Sequence, residues 1–248
     1  MGSDIEALLA ALVLAGVFVV GNLSRSATTT ERLWASRRYV SAAAGISVAY
    51  VFIDVLPELE AQRRIVVQST GGADLLFAEQ RIYLLALASF VVFYGLEHMV
   101  LVTRERVSVN IAGKADAAYI TQLTGYIAYS ALIGYLLVER ADRGTLPLAI
   151  YTFAMAVHFL VVDHALYEEH KDRYAPRGRW LLAVSIVGGW FIATEMPISE
   201  LQIARLFAVL AGGVVITSLR AELPDDRDGR FWPFCLSALS FAGVLMFA

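Results

Sequence analysis

The chain has 248 residues, of which 58% are hydrophobic and 17% are charged, and its formal net charge is −3. Its mean hydropathy is +0.62. These values exclude an ordinary soluble domain, in which about a quarter of the residues are charged, and the small negative charge gives no basic field for nucleic acid. The composition predicts an integral membrane protein.

Apolar stretches of membrane-spanning length follow one another along the chain. A hydrocarbon core of ~30 Å needs about 17 to 25 residues of helix. Eight stretches meet this length: 5–23, 39–57, 82–103, 118–138, 147–168, 179–195, 200–221 and 231–248. No gap between them leaves room for a separate soluble domain. The sequence therefore predicts an all-α integral membrane fold, with eight transmembrane helices in a single polytopic domain over residues 1–248.

Positive charges are divided unevenly between the two sides of this fold. The first, third, fifth and seventh loops hold fourteen Lys and Arg residues, and the second, fourth and sixth hold five. Cytoplasmic loops carry the excess of positive charge. We therefore expect the odd-numbered loops in the cytoplasm and both termini outside, in a bacterial inner membrane.

Two segments are alike at an offset of 167 residues. Ala44-Gly45 leads, eleven residues on, to Leu56-Pro57-Glu58, and Ala211-Gly212 leads at the same spacing to Leu223-Pro224-Asp225. The first motif closes span two and the second closes span seven, which cross the membrane in opposite senses. Two inverted three-helix units on either side of spans four and five would leave this pattern. We predict a 3+2+3 inverted repeat.

Ionisable residues inside the spans are candidate site residues, because such groups are costly in lipid. Seven of them form a series from the outer side to the inner side: Glu58 and Asp54 in the outer half of span two, His158 near the midplane of span five, and Asp163, His164, Glu97 and His98 in the inner halves of spans five and three. Carboxylate and imidazole suit Zn²⁺, Fe²⁺ or Mn²⁺. A proton relay needs the same groups, and side chains near the interfaces can also reach the headgroups, so residue type leaves these readings open.

The motifs of spans two and seven resemble those of the ZIP family of zinc and iron transporters. The likeness lies in Ala43-Ala44-Gly45-Ile46 through Asp54-Val55-Leu56-Pro57-Glu58, and in Ala211-Gly212-Gly213 through Leu223-Pro224-Asp225. Eight spans, both termini outside and the inverted repeat are also ZIP-like. The resemblance implies a divalent metal ion moving toward the cytoplasm.

In that family the metal binds histidine and carboxylate motifs on spans four and five, and His158 matches the leading histidine of the span-five motif. The resemblance makes His158 the central ligand. The other candidates would serve the release side and the outer mouth: Asp163, His164, Glu97 and His98 inside, and Asp54 and Glu58 outside.

Spans four and five depart from the ZIP pattern where the metal should bind. Span four offers Tyr126 and Tyr129 among its aligned residues, and neither is a good metal ligand. In span five Val162 occupies the place of the expected carboxylate, and Asp163 points ~140° away from His158 around the helix.

Two other hypotheses remain beside metal transport, and the transport hypothesis implies that the chain is not an enzyme. One is a haem-binding membrane oxidoreductase with His98, His158 or His164 as axial ligands. The other is a non-transporting sensor or scaffold that kept the ZIP fold and lost the metal site. The lipid bilayer is the expected partner in every case, and a homodimer is left open.

Overall fold

The computed structural model describes residues 2–23, 37–69, 80–105, 112–174, 177–221 and 231–247. Within these ranges the chain forms eight helices and no strand. Some predicted features lie outside the described residues: the Leu223-Pro224-Asp225 motif and the positive loop residues Arg25, Arg32, Arg106, Arg227 and Arg230.

Each of the eight helices overlaps one predicted span. In chain order they are α1 Gly2–Leu23, α2 Arg37–Tyr50 continuing through Val51–Val55 and Leu56–Ser69, α3 Arg81–Glu105, α4 Ala112–Asp142, α5 Thr145–His170, α6 Gly178–Glu195, α7 Glu200–Ala221 and α8 Phe231–Met246. Helices satisfy every backbone polar group internally, which is what a hydrocarbon environment requires.

Six of these helices are long and apolar enough to cross a membrane: α1 to α5 and α7. The helix α6 has 18 residues, with Arg179 and Glu195 near its ends, and α8 has 16 residues. The composition and these six helices agree on an all-α integral membrane protein.

Helix α2 runs twelve residues beyond the predicted end of span two at residue 57. It contains a π-helical turn at Val51–Val55. Pro57 follows this turn, and because proline has no backbone N–H and crowds the carbonyl four residues back, we attribute the local irregularity to Pro57. The polar continuation is helical because side chains pair along it, as Gln62 does with Glu58 at 2.6 Å.

The helices pack as a bundle in which α2 lies against α8, α3 against α7, α4 against α6, and α1 against α5 and α6. Glycines bring the α4 and α6 backbones together. A Cβ on Gly134 would lie 2.0 Å from the Ile186 carbonyl oxygen, and one on Gly189 would lie 1.9 Å from that of Ala131. Small residues allow this close approach where the hydrophobic effect cannot drive helix association.

Candidate functional site

His158 on α5 is the most deeply buried of the predicted site residues, with 1% of its surface exposed. Its Nε2 lies 3.5 Å from the Tyr129 hydroxyl on α4 and 3.4 Å from Oγ1 of Thr217 on α7. Thr217 donates a 2.7 Å hydrogen bond to the carbonyl of Gly213, one turn back on its own helix. Three helices therefore meet at His158, with two hydroxyls beside its Nε2.

Asp163 lies on α5 with its carboxylate turned to a different set of partners. Arg179 of α6 donates hydrogen bonds to both carboxylate oxygens, at 2.7 and 2.8 Å. Tyr174 donates a third at 2.7 Å. Asp163 and Arg179 are 8% and 6% exposed and Tyr174 is fully buried. Burial raises the pKa of Tyr174, and the negative charge of Asp163 raises it further, so the phenol keeps its proton and remains a donor.

Glu97 and His98 of α3 point to different surroundings, although they are adjacent in sequence. Glu97 is 9% exposed and accepts a 3.1 Å hydrogen bond from Tyr126 of α4. His98 is exposed, and its ring stacks on Tyr94 at 5.8 Å with a 9° interplanar angle. His164 of α5 is only partly buried. Of the four inner candidates, Glu97 and Asp163 face the interior of the bundle.

A stripe of polar side chains runs along one face of α4 at three- and four-residue spacing. Gln122 donates to Glu169 of α5 at 2.9 Å and lies within hydrogen-bonding distance of His170. Tyr126 and Tyr129 follow, bonded to Glu97 and close to His158 as described above. Because residues three and four apart share a helix face, this stripe aligns the inner polar groups with His158.

Asp54 sits in the π-helical turn of α2 and is paired with Arg140, near the end of α4. The Arg140 Nη2 lies 3.1 Å from the Asp54 carboxylate. Arg140 is 6% exposed, and its guanidinium is 5.3 Å from the ring centroid of Tyr151 and 5.8 Å from that of Phe207. A guanidinium carries five N–H donors, and within the described residues this one donates a single hydrogen bond, to Asp54.

Glu58 is paired with Arg143, which lies in the turn between α4 and α5. Two 2.7 Å hydrogen bonds join the guanidinium to both carboxylate oxygens. Hydrogen bonding to Glu58 raises the pKa of Arg143. The following Gly144 has a φ of 122°, which a residue with a Cβ rarely adopts, and this glycine allows the short turn. Both outer carboxylates therefore carry an arginine counter-ion.

An apolar layer separates the outer ion pairs from the central histidine. On α4 it lies between Tyr129 and Arg140, on α5 between Tyr151 and His158, and on α7 between Phe207 and Thr217. Its side chains are all 2% exposed or less: Ile133, Leu136, Leu137, Ala154, Met155, Leu210, Ala211 and Val214. Polar groups thus line the half of the bundle that is predicted to be inner, up to His158, and ion pairs occupy the opposite end.

The seven predicted metal ligands are distributed among separate surroundings. No three His, Cys, Asp or Glu side chains of the described residues form a group that could hold a metal ion. A divalent metal needs three or four such ligands in one shell. Five of the seven are hydrogen-bonded, ion-paired or close to a hydroxyl: Asp54, Glu58, Glu97, His158 and Asp163.

The sequence reasoning overlooked the residues that pair with the carboxylates. Arg140 and Arg179 each lie at the border of an apolar stretch, which predicts that both are loop charges, whereas both are buried. Tyr174 and Thr217 were not singled out. One available signal was the three- and four-residue spacing of Gln122, Tyr126 and Tyr129 on α4, which marks an interior polar face.

Compared with known proteins, the sequence matches no family model and no curated protein.

Proposed function

We propose that this chain is a ZIP-like membrane protein of eight spans that does not transport a metal ion and acts as a membrane sensor or scaffold. The observation that carries the proposal is the ion pair of Asp163 and Arg179. Both oxygens of this carboxylate accept hydrogen bonds from one buried guanidinium. A metal ion at Asp163 would have to displace Arg179 and leave its charge buried without a partner, which is strongly unfavourable.

The same reasoning applies at the outer end, where ZIP-like transport would need a negatively charged entrance. Asp54 and Glu58 each have an arginine within 3.1 Å. These two positive charges weaken the field that would attract a cation, although Arg143 is shared with Glu139. The apolar layer beyond them offers no polar groups to an entering ion. The outer end of the bundle therefore favours a closed, non-conducting protein.

The helix packing supports the eight spans and the 3+2+3 inverted repeat. In such a repeat α1, α2 and α3 correspond to α6, α7 and α8, and α4 corresponds to α5. The contact between α2 and α8 then corresponds to the contact between α7 and α3. In the same way, the contact between α4 and α6 corresponds to the contact between α5 and α1. Both members of each pair occur in the bundle.

The repeated glycines Gly45 and Gly212 support this correspondence at the level of single residues. A Cβ on Gly45 would lie 2.3 Å from the Phe234 carbonyl oxygen of α8, and one on Gly212 would lie 2.0 Å from the Ala86 carbonyl oxygen of α3. The two residues are 167 positions apart and make the same kind of backbone contact with corresponding helices.

The charge distribution supports a topology with both termini outside. Because Arg140 and Arg179 are buried, neither should count as a loop charge. Removing one from each side leaves thirteen positive residues on the odd-numbered loops and four on the even-numbered loops, so the bias that predicts cytoplasmic odd loops is kept.

Metal content and uptake test the proposal directly. We expect purified protein to contain no zinc, iron or manganese in proportion to the chain, and liposomes with the protein to take up zinc no faster than empty ones. An ionophore provides the positive control for uptake. Metal bound near one ion per chain and lost in His158→Ala, or uptake that His158→Ala abolishes, would contradict the proposal and support ZIP-like transport.

Two simpler measurements separate the remaining hypotheses. A ligand that binds only the folded state raises thermal stability, so we expect the same Tm in chelator and in excess zinc. We also expect no Soret band in the absorption spectrum. A Soret band would instead support the haem hypothesis.

A further inference from the structure

An apolar cleft of about 420 Å³ lies between α2, α5 and α8. Six of its lining residues matter here: Ile46 of α2, Ala149 and Phe153 of α5, and Ser237, Ser240 and Phe241 of α8. Phe241 is 8% exposed and Phe153 is 51% exposed, and their ring centroids are 5.6 Å apart. The cleft thus has a buried floor and opens on the outer surface of the bundle.

The walls of the cleft offer little polar recognition. The Ser237 hydroxyl donates a 2.9 Å hydrogen bond to the carbonyl of Phe234 in its own helix, so it is satisfied without a ligand. The helices α2 and α8 meet closely at Gly45, beside Ile46. The remaining space is a slot between apolar side chains on three apolar helices.

The corresponding place in the other half of the bundle is filled. This comparison rests on the inverted repeat of the proposed function, in which Ile46 corresponds to Gly213 at the offset of 167. A Cβ on Gly213 would lie 2.8 Å from the ring of Tyr129 and 3.3 Å from the ring of Phe93. Aromatic rings of α4 and α3 therefore occupy the space next to α7, whereas the space next to α2 is left open.

We propose that this cleft binds one acyl chain of a membrane phospholipid. Hydrocarbon chains are the medium around the helices, and a slot with apolar walls gains dispersion contacts when a chain fills it. A helix of a second protein copy is ~10 Å in diameter and could insert only its side chains into the slot. An unbranched chain is narrower and can lie along the slot.

Photolabelling tests the proposal. The full-length protein is reconstituted in phosphatidylcholine vesicles that contain a small fraction of phosphatidylcholine with a diazirine in one acyl chain, and labelled peptides are located by mass spectrometry. We expect labelling concentrated on α2, α5 and α8 at the cleft. Ala149→Phe, at an exposed position, should fill the slot and lower this labelling about tenfold, as a loss of ~1.4 kcal/mol in binding would.

Two further variants make the result interpretable. Ser240→Phe fills the cleft from α8 and should act like Ala149→Phe. Val184→Phe on α6, where Val184 is 64% exposed, places the same ring on a lipid-facing surface away from the cleft and should leave cleft labelling unchanged. Monodisperse size-exclusion profiles and an unchanged Tm confirm that each variant is folded.

Three outcomes would overturn the proposal. Equal labelling on all lipid-facing helices would mean that the cleft holds only bulk lipid. Displacement of the label by free palmitate, but not by unlabelled phosphatidylcholine, would identify a free fatty acid as the ligand. Crosslinks between two copies of the chain at the cleft would identify a dimer interface. None of these outcomes depends on metal transport, so they leave the proposed function to its own test.

Discussion

Arg179 donates hydrogen bonds from Nε and Nη2 to the two carboxylate oxygens of Asp163, at 2.7 and 2.8 Å. Parallel bonds of this kind are the strongest geometry for a guanidinium and a carboxylate. The guanidinium also lies 5.4 Å from the ring centroid of Tyr167 and 5.7 Å from that of Tyr174. This arrangement ties the inner end of α5 to the start of α6 and uses a carboxylate that could otherwise bind a cation.

Breaking this pair should destabilise the protein strongly. Removing one partner of a buried pair leaves an uncompensated charge and costs about 3–5 kcal/mol. We expect this loss in the free energy of unfolding for Asp163→Asn, measured by denaturant titration in detergent micelles. Arg179→Lys keeps the charge but loses the bidentate geometry, so its loss should be smaller than that of Asp163→Asn.

The matched control is an ion pair at the surface. Arg173 and Asp116 are 2.7 Å apart, with side chains 49% and 57% exposed. Exposed pairs contribute about 0–1 kcal/mol, so Asp116→Asn should have little effect. Equal stability losses for Asp163→Asn and Asp116→Asn would show that the inner pair is not a buried one.

The two repeated glycines should respond alike to substitution. In Gly45→Ala and Gly212→Ala the new Cβ meets a backbone carbonyl oxygen at 2.3 and 2.0 Å, and the helices can relieve this only by separating. Overpacking of this kind costs about 1–3 kcal/mol. We expect both variants to lose stability within this range, measured by thermal unfolding. If only one of the two were sensitive, the equivalence of the α2–α8 and α3–α7 contacts would fail.

Gly188→Ala is the control for the effect of replacing a glycine by alanine without a steric clash. A Cβ on Gly188 meets nothing within 4 Å, although Gly188 lies in a helix beside the tightly packed Gly189. Alanine favours the helix over glycine by about 0.8–1 kcal/mol. Gly188→Ala should therefore be neutral or slightly stabilising, and a loss comparable to that of Gly212→Ala would argue against steric contact as the cause.

The membrane class and the positions of the helices follow from sequence because a bilayer requires long apolar stretches, and such stretches are visible in one dimension. The partner of each charged side chain cannot be predicted from sequence in the same way. The sequence predicts that Asp54 is an intramembrane carboxylate. Its partner Arg140 is 86 residues away and is predicted to lie in a loop. Only the tertiary fold brings the Arg140 side chain at the end of α4 to Asp54 in the π-helical turn of α2, and single-sequence periodicity contains no information on that contact.

The candidate site residues on α3 and α5 show the same limit of prediction from sequence. Helical geometry placed Asp163 and His158 on different faces of α5, and the structure gives them different partners. Adjacent residues can still differ in burial, as Glu97 and His98 do, because a single step of ~100° around a helix turns one side chain inward and the next outward. Which of the two turns inward depends on where α4 packs.

Breaking the ion pair of Arg140 should cost more stability than breaking that of Arg143, although Arg143 makes more hydrogen bonds. Arg143 donates more hydrogen bonds, but its side chain is 36% exposed. Arg140 donates one and is 6% exposed. Because solvent screens exposed pairs and a buried charge without its partner is costly, Asp54→Asn, which leaves Arg140 unpaired, should cost about 3 kcal/mol or more. Glu58→Gln leaves Arg143 paired with Glu139 and should cost about 1 kcal/mol or less. Chemical denaturation of both variants checks this order, and the reverse order would mean that water reaches Arg140 freely.

The hydrogen bonds of Thr217 indicate which ring nitrogen of His158 carries a proton. Its proton is used in the 2.7 Å bond to the Gly213 carbonyl, so Oγ1 can act only as an acceptor toward Nε2 at 3.4 Å. We therefore expect Nε2 to carry a proton. Solid-state ¹⁵N NMR of histidine-labelled protein in lipid distinguishes a protonated from an unprotonated ring nitrogen.

This proton also bears on metal binding, because a nitrogen that ligates a metal must be free of its proton. Thr217→Val removes this acceptor from Nε2, and the Tyr129 hydroxyl, 3.5 Å away, remains within reach of Nε2 as a donor. We expect the proton population on Nε2 to fall in Thr217→Val and to stay unchanged in Thr152→Val, since Thr152 bonds only its own helix at Leu148. An unprotonated Nε2 in the wild-type protein, shifting further when zinc is added, would contradict both the proton on Nε2 and the absence of a metal site at His158.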